Sequence, residues 1–151
     1  MAGTNRTPME RALALARAAS AAGEVPIGCV IVGPDGAVLA EAANRTEADC
    51  DPTAHAELLA IRAAARKLGA PRLVDCDLYV TLEPCPMCAQ AIAFGRLRRV
   101  YYGAADPKGG GIEHGPRIFS QPTCHHRPEI YGGIAEREAS DLLRNFFKER
   151  R

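Results

Sequence analysis

Apolar and polar positions alternate along the chain between a helical period and a strand period. Thr7-Pro8-Met9-Glu10 forms a capping box with proline at the first helical position. It opens a helix whose Met9, Leu13, Ala16 and Ala19 share one face, and Gly23 can end it. Cys29-Val30-Ile31-Val32 reads as a buried strand. Gly33-Pro34-Asp35-Gly36 is a turn, and Val38-Leu39-Ala40 returns to complete a hairpin. A second helix is predicted from Asp51-Pro52, with Leu58, Ile61, Ala65 and Leu68 on its core side and Gly69 at its end. Leu78 to Leu82 reads as a third strand, Pro84 to Phe94 as a helix stopped at Gly95, and Arg99 to Tyr102 as a fourth strand. A glycine- and proline-rich stretch from Gly103 to Pro128 follows, and loops of such length are often functional. Ile130-Tyr131 reads as a short fifth strand. The last helix, Ala135 to Lys148, turns Ala139, Leu142, Leu143 and Phe146 inward. Strands alternating with helices after an initial hairpin imply a three-layer α/β domain with a mixed sheet, one domain over residues 1–151.

The 151 residues, 47% apolar and 25% charged, suit one soluble domain with a real core. No apolar run approaches the ~18 residues of a membrane helix, and Met1 to Arg6 carries no apolar stretch for export. A cytoplasmic location is the expectation, with no membrane partner. In that compartment the six cysteines read as free thiols or metal ligands, not disulfides. Cys29 and Cys76 lie in or beside apolar stretches and read as small hydrophobes. Net charge is +1, but residues 96–108 and 144–151 each carry a net +3, which leaves −5 on the remainder. Two basic segments can form an electrostatic footprint for nucleic acid if they meet in space. Otherwise they are a solvated face and a soluble tail.

The chemistry lies in His55-Ala56-Glu57 and, thirty residues on, Pro84-Cys85-Pro86-Met87-Cys88. One imidazole and two thiolates leave a tetrahedral zinc one ligand short, the position that water takes in a catalytic site. Glu57, beside the first ligand, is the natural carrier of that water's proton. H-x-E with P-C-x-x-C is the signature of zinc nucleobase deaminases. Both motifs fall at predicted helix starts. Side chains two apart on a helix point roughly 200° apart, so His55 and Glu57 can serve one ion only near a helix end. Cys85 and Cys88, three apart, share a face. Helix N-termini also offer free N–H groups and the positive dipole end, which favours thiolates. Cys-x-x-Cys alone also marks redox pairs and structural zinc. A structural site would take a fourth protein ligand, and Cys124, His125 and His126 are available donors.

At these residues the chain resembles the bacterial tRNA-specific adenosine deaminases. Asp51 to Glu57 and Val80 to Ala89 carry the likeness. Gly23 to Gly28, Gly103 to Lys108, Phe146-Phe147 and the basic end extend it over nearly the whole chain. The zinc motifs are shared by the wider cytidine deaminase superfamily. The resemblance implies an α/β/α fold with a five-stranded mixed sheet, one Zn²⁺ per subunit, and a homodimer with the active site near the subunit interface. It implies hydrolytic conversion of the wobble adenosine in the anticodon stem-loop of an arginine tRNA to inosine, with no DNA partner expected. It further implies that Asn44 hydrogen-bonds the base and that Val25, Pro26 and Ile27 line the pocket. Asp106 and Lys108 would touch flanking nucleotides, and Phe147 and Arg150 the anticodon loop. The chain departs from the family at Cys29, at Cys50 and across Gly109 to Pro128. Two other readings stand beside this one: a deaminase of a free nucleobase or nucleoside, of guanine or cytosine type, and a non-catalytic RNA-binding subunit.

Overall fold

The computed structural model describes residues 6–150, so the reading of Met1 to Asn5 as non-secretory and the charge of Arg151 lie outside the described residues. The elements are α1 (Pro8–Ala21), β1 (Gly28–Val32), β2 (Val38–Ala43), α2 (Ala56–Leu68), β3 (Asp77–Leu82), α3 (Pro86–Phe94), β4 (Arg99–Ala104), η1 (Ile118–Ser120), β5 (Glu129–Tyr131) and α4 (Glu136–Glu149). The five strands form one mixed sheet in the order β2-β1-β3-β4-β5. β1 is antiparallel to both β2 and β3, whereas β3, β4 and β5 run parallel. No helix among the described residues is long and apolar enough to cross a membrane.

Helices cover both faces of the sheet, which explains why β1 is a continuous apolar run. Cys29 and Ile31 point into a core with Ala56, Ala60, Ala64, Ala89 and Ile92 of α2 and α3. Val30 and Val32 point the other way, against Met9, Ala12 and Leu13 of α1 and Ala139 of α4. The capping box at Thr7 and Glu10 forms as expected, and the face of α1 predicted to be inward is buried. The short β5 is reinforced by an aromatic ladder. Tyr79, Tyr101 and Tyr131 stand in register on β3, β4 and β5 and stack with ring centroids 4.4 Å and 5.0 Å apart. Each such pair contributes about 0.5–1.5 kcal/mol beyond its area.

The second helix differs from expectation in two ways. It starts at Ala56, not at Asp51-Pro52, because Thr46 to Asp51 close turns of their own. Its inward face is Ala56, Glu57, Ala60 and Ala64, rotated from the predicted stripe. Small residues let the helix lie close to the sheet. The bulky Leu58 and Ile61 are displaced to the flank, and Leu68 is 46% exposed.

At the start of β1 the approach of α1 is closer still. A Cβ on Gly28 would lie 2.0 Å from the Ala12 carbonyl oxygen and 2.9 Å from the Leu15 Cβ. Gly28→Ala should therefore lower stability by about 1–3 kcal/mol. Urea unfolding would show a lower midpoint at unchanged slope.

Candidate metal centre and active site

One end of the sheet gathers the chemistry. β1 runs antiparallel to its neighbours, so its beginning lies beside the ends of β2 and β3. Gly28 pairs with Ala43, and the Gly28 N–H donates to Thr81 Oγ1 at 3.2 Å. Val25-Pro26-Ile27 enters here, Asn44 leaves here, and β3 runs from here into α3. A ligand site outside the carboxyl ends of strands, where strand direction switches, is the general expectation for open α/β sheets.

His55 and Cys85 are the N-cap residues of α2 and α3, in extended conformation, and neither side chain caps its helix. An N-cap side chain ordinarily accepts from the first turn. Here both turn away from their helices and meet. His55 Nδ1 lies 3.6 Å from Cys85 Sγ and 3.6 Å from Cys88 Sγ. The three ligand atoms all fall within 4.8 Å of one another, and they are the one such cluster among the described residues. Zn–N near 2.0–2.1 Å and Zn–S near 2.3 Å give tetrahedral N···S edges of about 3.6 Å, so the donor set fits zinc. The Cys88 thiol hydrogen-bonds the Cys85 sulfur, and with His55 it draws the Cys85 pKa down to about 4. The same hydrogen bond, with burial and Glu57, pushes Cys88 far up. The His55 imidazole is raised by its bond to Cys85.

Glu57 is 4% exposed, at the second position of α2. Burial, more than any other cause, pushes its carboxyl up to about 7, with the Cys85 charge adding to the rise. Its Oε1 is buried without a hydrogen-bond partner. A carboxyl with one free oxygen, poised near neutrality beside a metal donor set, can both take and give a proton.

Residues 3–104 match the family described as the cytidine and deoxycytidylate deaminase zinc-binding region. The chain is 59% identical over 143 residues to the tRNA-specific adenosine deaminase of Agrobacterium fabrum, covering 95% of this chain and 93% of that one. The chain belongs to this zinc-binding deaminase family. A solved structure from work on A-to-I editing by tRNA deaminases at the wobble position is 58% identical. It superposes with a TM-score of 0.88 over 90% of this chain and 98% of that one. Guanine deaminase from Bacillus subtilis is 34% identical, with a TM-score of 0.64, over 98% of this chain and 94% of that one.

Around the deaminase site, the expected pocket residues fall at the same sheet end. Pro26 and Asn44 are buried, and Val25 and Ile27 half-buried. The Asn44 N–H donates to the Ile27 carbonyl at 3.1 Å, and Arg45 N–H to the Ala54 carbonyl at 3.0 Å, next to His55. The Asp106 N–H donates to Glu83, two residues before Cys85, and Lys108 is exposed on the same loop. Phe147 is 50% exposed. The Arg150 guanidinium lies 3.7 Å over the Phe146 ring, so its contacts run within α4.

One expectation needs correction, and one alternative falls away. The basic segment 96–108 does not act as one patch, because the six residues of β4 separate its ends by about 17 Å. Arg98 grips Asp77 with two 3.0 Å hydrogen bonds at the far end of the sheet, and Arg99 lies 3.7 Å from Asp77 and 3.6 Å from Glu129. Only Lys108 stays beside the site. Nor do Cys124, His125 and His126 offer a fourth ligand. Cys124 Sγ donates to the His126 carbonyl at 3.2 Å, and His126 Nε2 donates to the Leu97 carbonyl at 2.6 Å, near the start of β4. Cys29 and Cys76 pack as buried thiols, as expected, and Cys50 is exposed in a turn at φ 48°.

Besides Asp77 at the far end of the sheet, sequence reasoning missed two buried acids beside the site. Glu24 accepts from the N–H groups of Glu47 and Ala48 at 3.1 and 2.7 Å, fixing the turn that leads to His55. Glu83 is fully buried at the end of β3. The available signal was position: each carboxylate stands directly against a motif, Glu24 before Val25-Pro26 and Glu83 before Pro84-Cys85.

With Cys88 held protonated at neutral pH, zinc entry must expel its proton. Zinc affinity, measured by competition with a chromophoric chelator, should rise about tenfold or more per pH unit through neutrality and fall as pH drops.

Proposed function

We propose that this protein is a zinc-dependent tRNA adenosine deaminase, one deaminase domain over residues 1–151. It converts the wobble adenosine of an arginine tRNA to inosine and releases ammonia. The observation that carries the reaction type is the cluster of His55, Cys85 and Cys88 with the buried Glu57 carboxyl, one oxygen of it free, beside it. These three residues would hold one zinc per subunit. When bound, zinc supplies Lewis acidity that brings the pKa of water toward neutrality. Glu57 would take one proton from water and give it to the ring nitrogen as the oxygen adds to C6, then carry the second proton from that oxygen to the amine as the C6–N bond breaks and ammonia leaves. The substrate half of the reading is supported by likeness to the Agrobacterium enzyme and to the wobble-editing structure, both more similar than the guanine deaminase. The free-base reading is not favoured on that comparison. The buried, chemically poised Glu57 argues against a retired subunit.

The target nucleotide must leave the anticodon stack to reach a pocket at the sheet end. Asn44 would hold the base by its amide, with Val25, Pro26 and Ile27 lining the pocket. Asp106 and Lys108 would meet flanking nucleotides, and the exposed Phe147 ring would stack on the loop with Arg150 near the backbone. Such an enzyme works where tRNA is, in the cytoplasm.

The displaced stripe of α2 supports a homodimer. Leu58 and Ile61, with Pro71, Ala91 and Phe94, line an open, apolar groove of about 450 Å³. Phe94 is 72% exposed on it. A second copy would bury this face beside both zinc-bearing helices. Phe94→Glu should then convert the dimer to a monomer in sedimentation velocity.

Glu57→Gln should retain zinc and stem-loop binding while inosine formation drops by about 10²–10⁴-fold. Nucleoside mass spectrometry after incubation with an anticodon stem-loop reads the product. Full activity in that variant would refute the proton-carrier role, and turnover of free bases with none on RNA would refute the substrate.

A further inference from the structure

The buried Glu83 carboxylate has no part in the chemistry described so far, yet it is the most heavily hydrogen-bonded side chain at the site. Its side chain has no solvent exposure. Oε1 accepts from the Asp106 N–H at 3.0 Å and from His114 Nδ1 at 2.7 Å. Oε2 accepts from the N–H groups of Ile112, Glu113 and His114 at 3.2, 2.9 and 3.1 Å. These five donors more than fill the roughly four lone-pair sites of a carboxylate. Burial alone would raise its pKa, and the donors together hold it below the usual carboxylate value.

All five donors come from one arch of chain, residues 106–114. A buried carboxylate without partners is strongly disfavoured, so the arch and the charge stabilise each other. The triple glycine Gly109-Gly110-Gly111 is what lets the backbone wrap this closely. A Cβ on Gly110 would lie 2.5 Å from Glu83 Oε2, and one on Gly111 would lie 2.5 Å from Pro86 N. The Gly111 N–H donates to the Pro84 carbonyl at 2.8 Å, clamping the arch onto the residue before Cys85. From β4, the Tyr102 hydroxyl binds the Glu113 carboxylate. The arch thus rests on β3, β4 and the start of α3. Lys108 is exposed on it, and Asp106 is half-buried with its Oδ1 accepting from the Gly109 N–H at 2.9 Å.

We propose that Glu83 is a positioning residue for RNA. Its carboxylate holds the 106–114 arch in the shape that presents Asp106 and Lys108 beside the pocket, and so governs RNA capture more than the chemical step. The proposal rests on the tRNA reading above. It separates Glu83 from Glu57: one carboxylate moves a proton, the other holds backbone.

Steady-state kinetics of inosine formation on an anticodon stem-loop test it, with zinc content and amide hydrogen exchange measured on the same zinc-loaded proteins. Glu83→Ala should raise KM about tenfold or more and leave kcat within about threefold at wild-type zinc content. Amide protection should fall in residues 106–114 and stay unchanged in α2. Glu83→Gln keeps one acceptor oxygen for the Ile112, Glu113 and His114 N–H groups. It should give an intermediate KM, and it reads the same split if the alanine variant does not fold. A parallel loss of kcat and zinc at unchanged KM would overturn the proposal and make Glu83 a mere support of the metal helix. Unchanged KM with lost protection would also overturn it. Absence of inosine from the wild-type enzyme would instead refute the tRNA reading, and this proposal with it.

Discussion

Two helix N-termini meet at one end of the sheet, and each gives up its cap. Ser, Thr, Asn or Asp at an N-cap stabilises a helix by about 1 kcal/mol. His55 and Cys85 occupy those positions and leave the first-turn N–H groups without that bond. Pro86 at the first position of α3 reduces the deficit, since it has no N–H to satisfy. What the helices lose in capping, the site gains in direction. A cap side chain projects beyond the helix end, so an imidazole and a thiolate from different helices can point at one another. The second and fourth members, Glu57 and Cys88, follow within the same two first turns.

The surrounding structure keeps these two helix starts facing each other. Antiparallel β1 puts the entry of one strand beside the exit of another, so loops far apart in sequence share one end. The buried Glu24 carboxylate fixes the approach to α2 by accepting the Glu47 and Ala48 N–H groups, and buried Glu83 holds the 106–114 arch beside the start of α3. Buried acids here thus have separate duties. Glu57 has an unpartnered oxygen and a pKa pushed up to about 7, whereas Glu83 is surrounded by donors and held low. Environment, not residue type, sets the two carboxyls apart.

Much of this was legible in the sequence because its signals are local. The Thr7 capping box, the alternating faces of α1 and the two short metal motifs each occupy a few neighbouring residues. The failures have a common physical origin in tertiary distance. Hydrophobic period picked Leu58, Ile61 and Leu68 as the core side of α2, because it cannot see that alanines permit closer approach to a sheet. That same choice hid Glu57 on the buried face. The basic segment 96–108 looked continuous, yet a strand carries its two ends to opposite sides of the fold. The 103–128 stretch looked structureless because its order comes from backbone N–H groups converging on Glu83, twenty or more residues earlier.

Three protein ligands, and not four, would surround the metal at these two helix starts. X-ray absorption spectroscopy of the zinc-loaded protein tests it directly. The expected spectrum has two sulfur scatterers at about 2.3 Å and two nitrogen or oxygen scatterers at about 2.0–2.1 Å, of which one shows imidazole multiple scattering. A third sulfur or a second imidazole would mean a closed structural site with no position left for water.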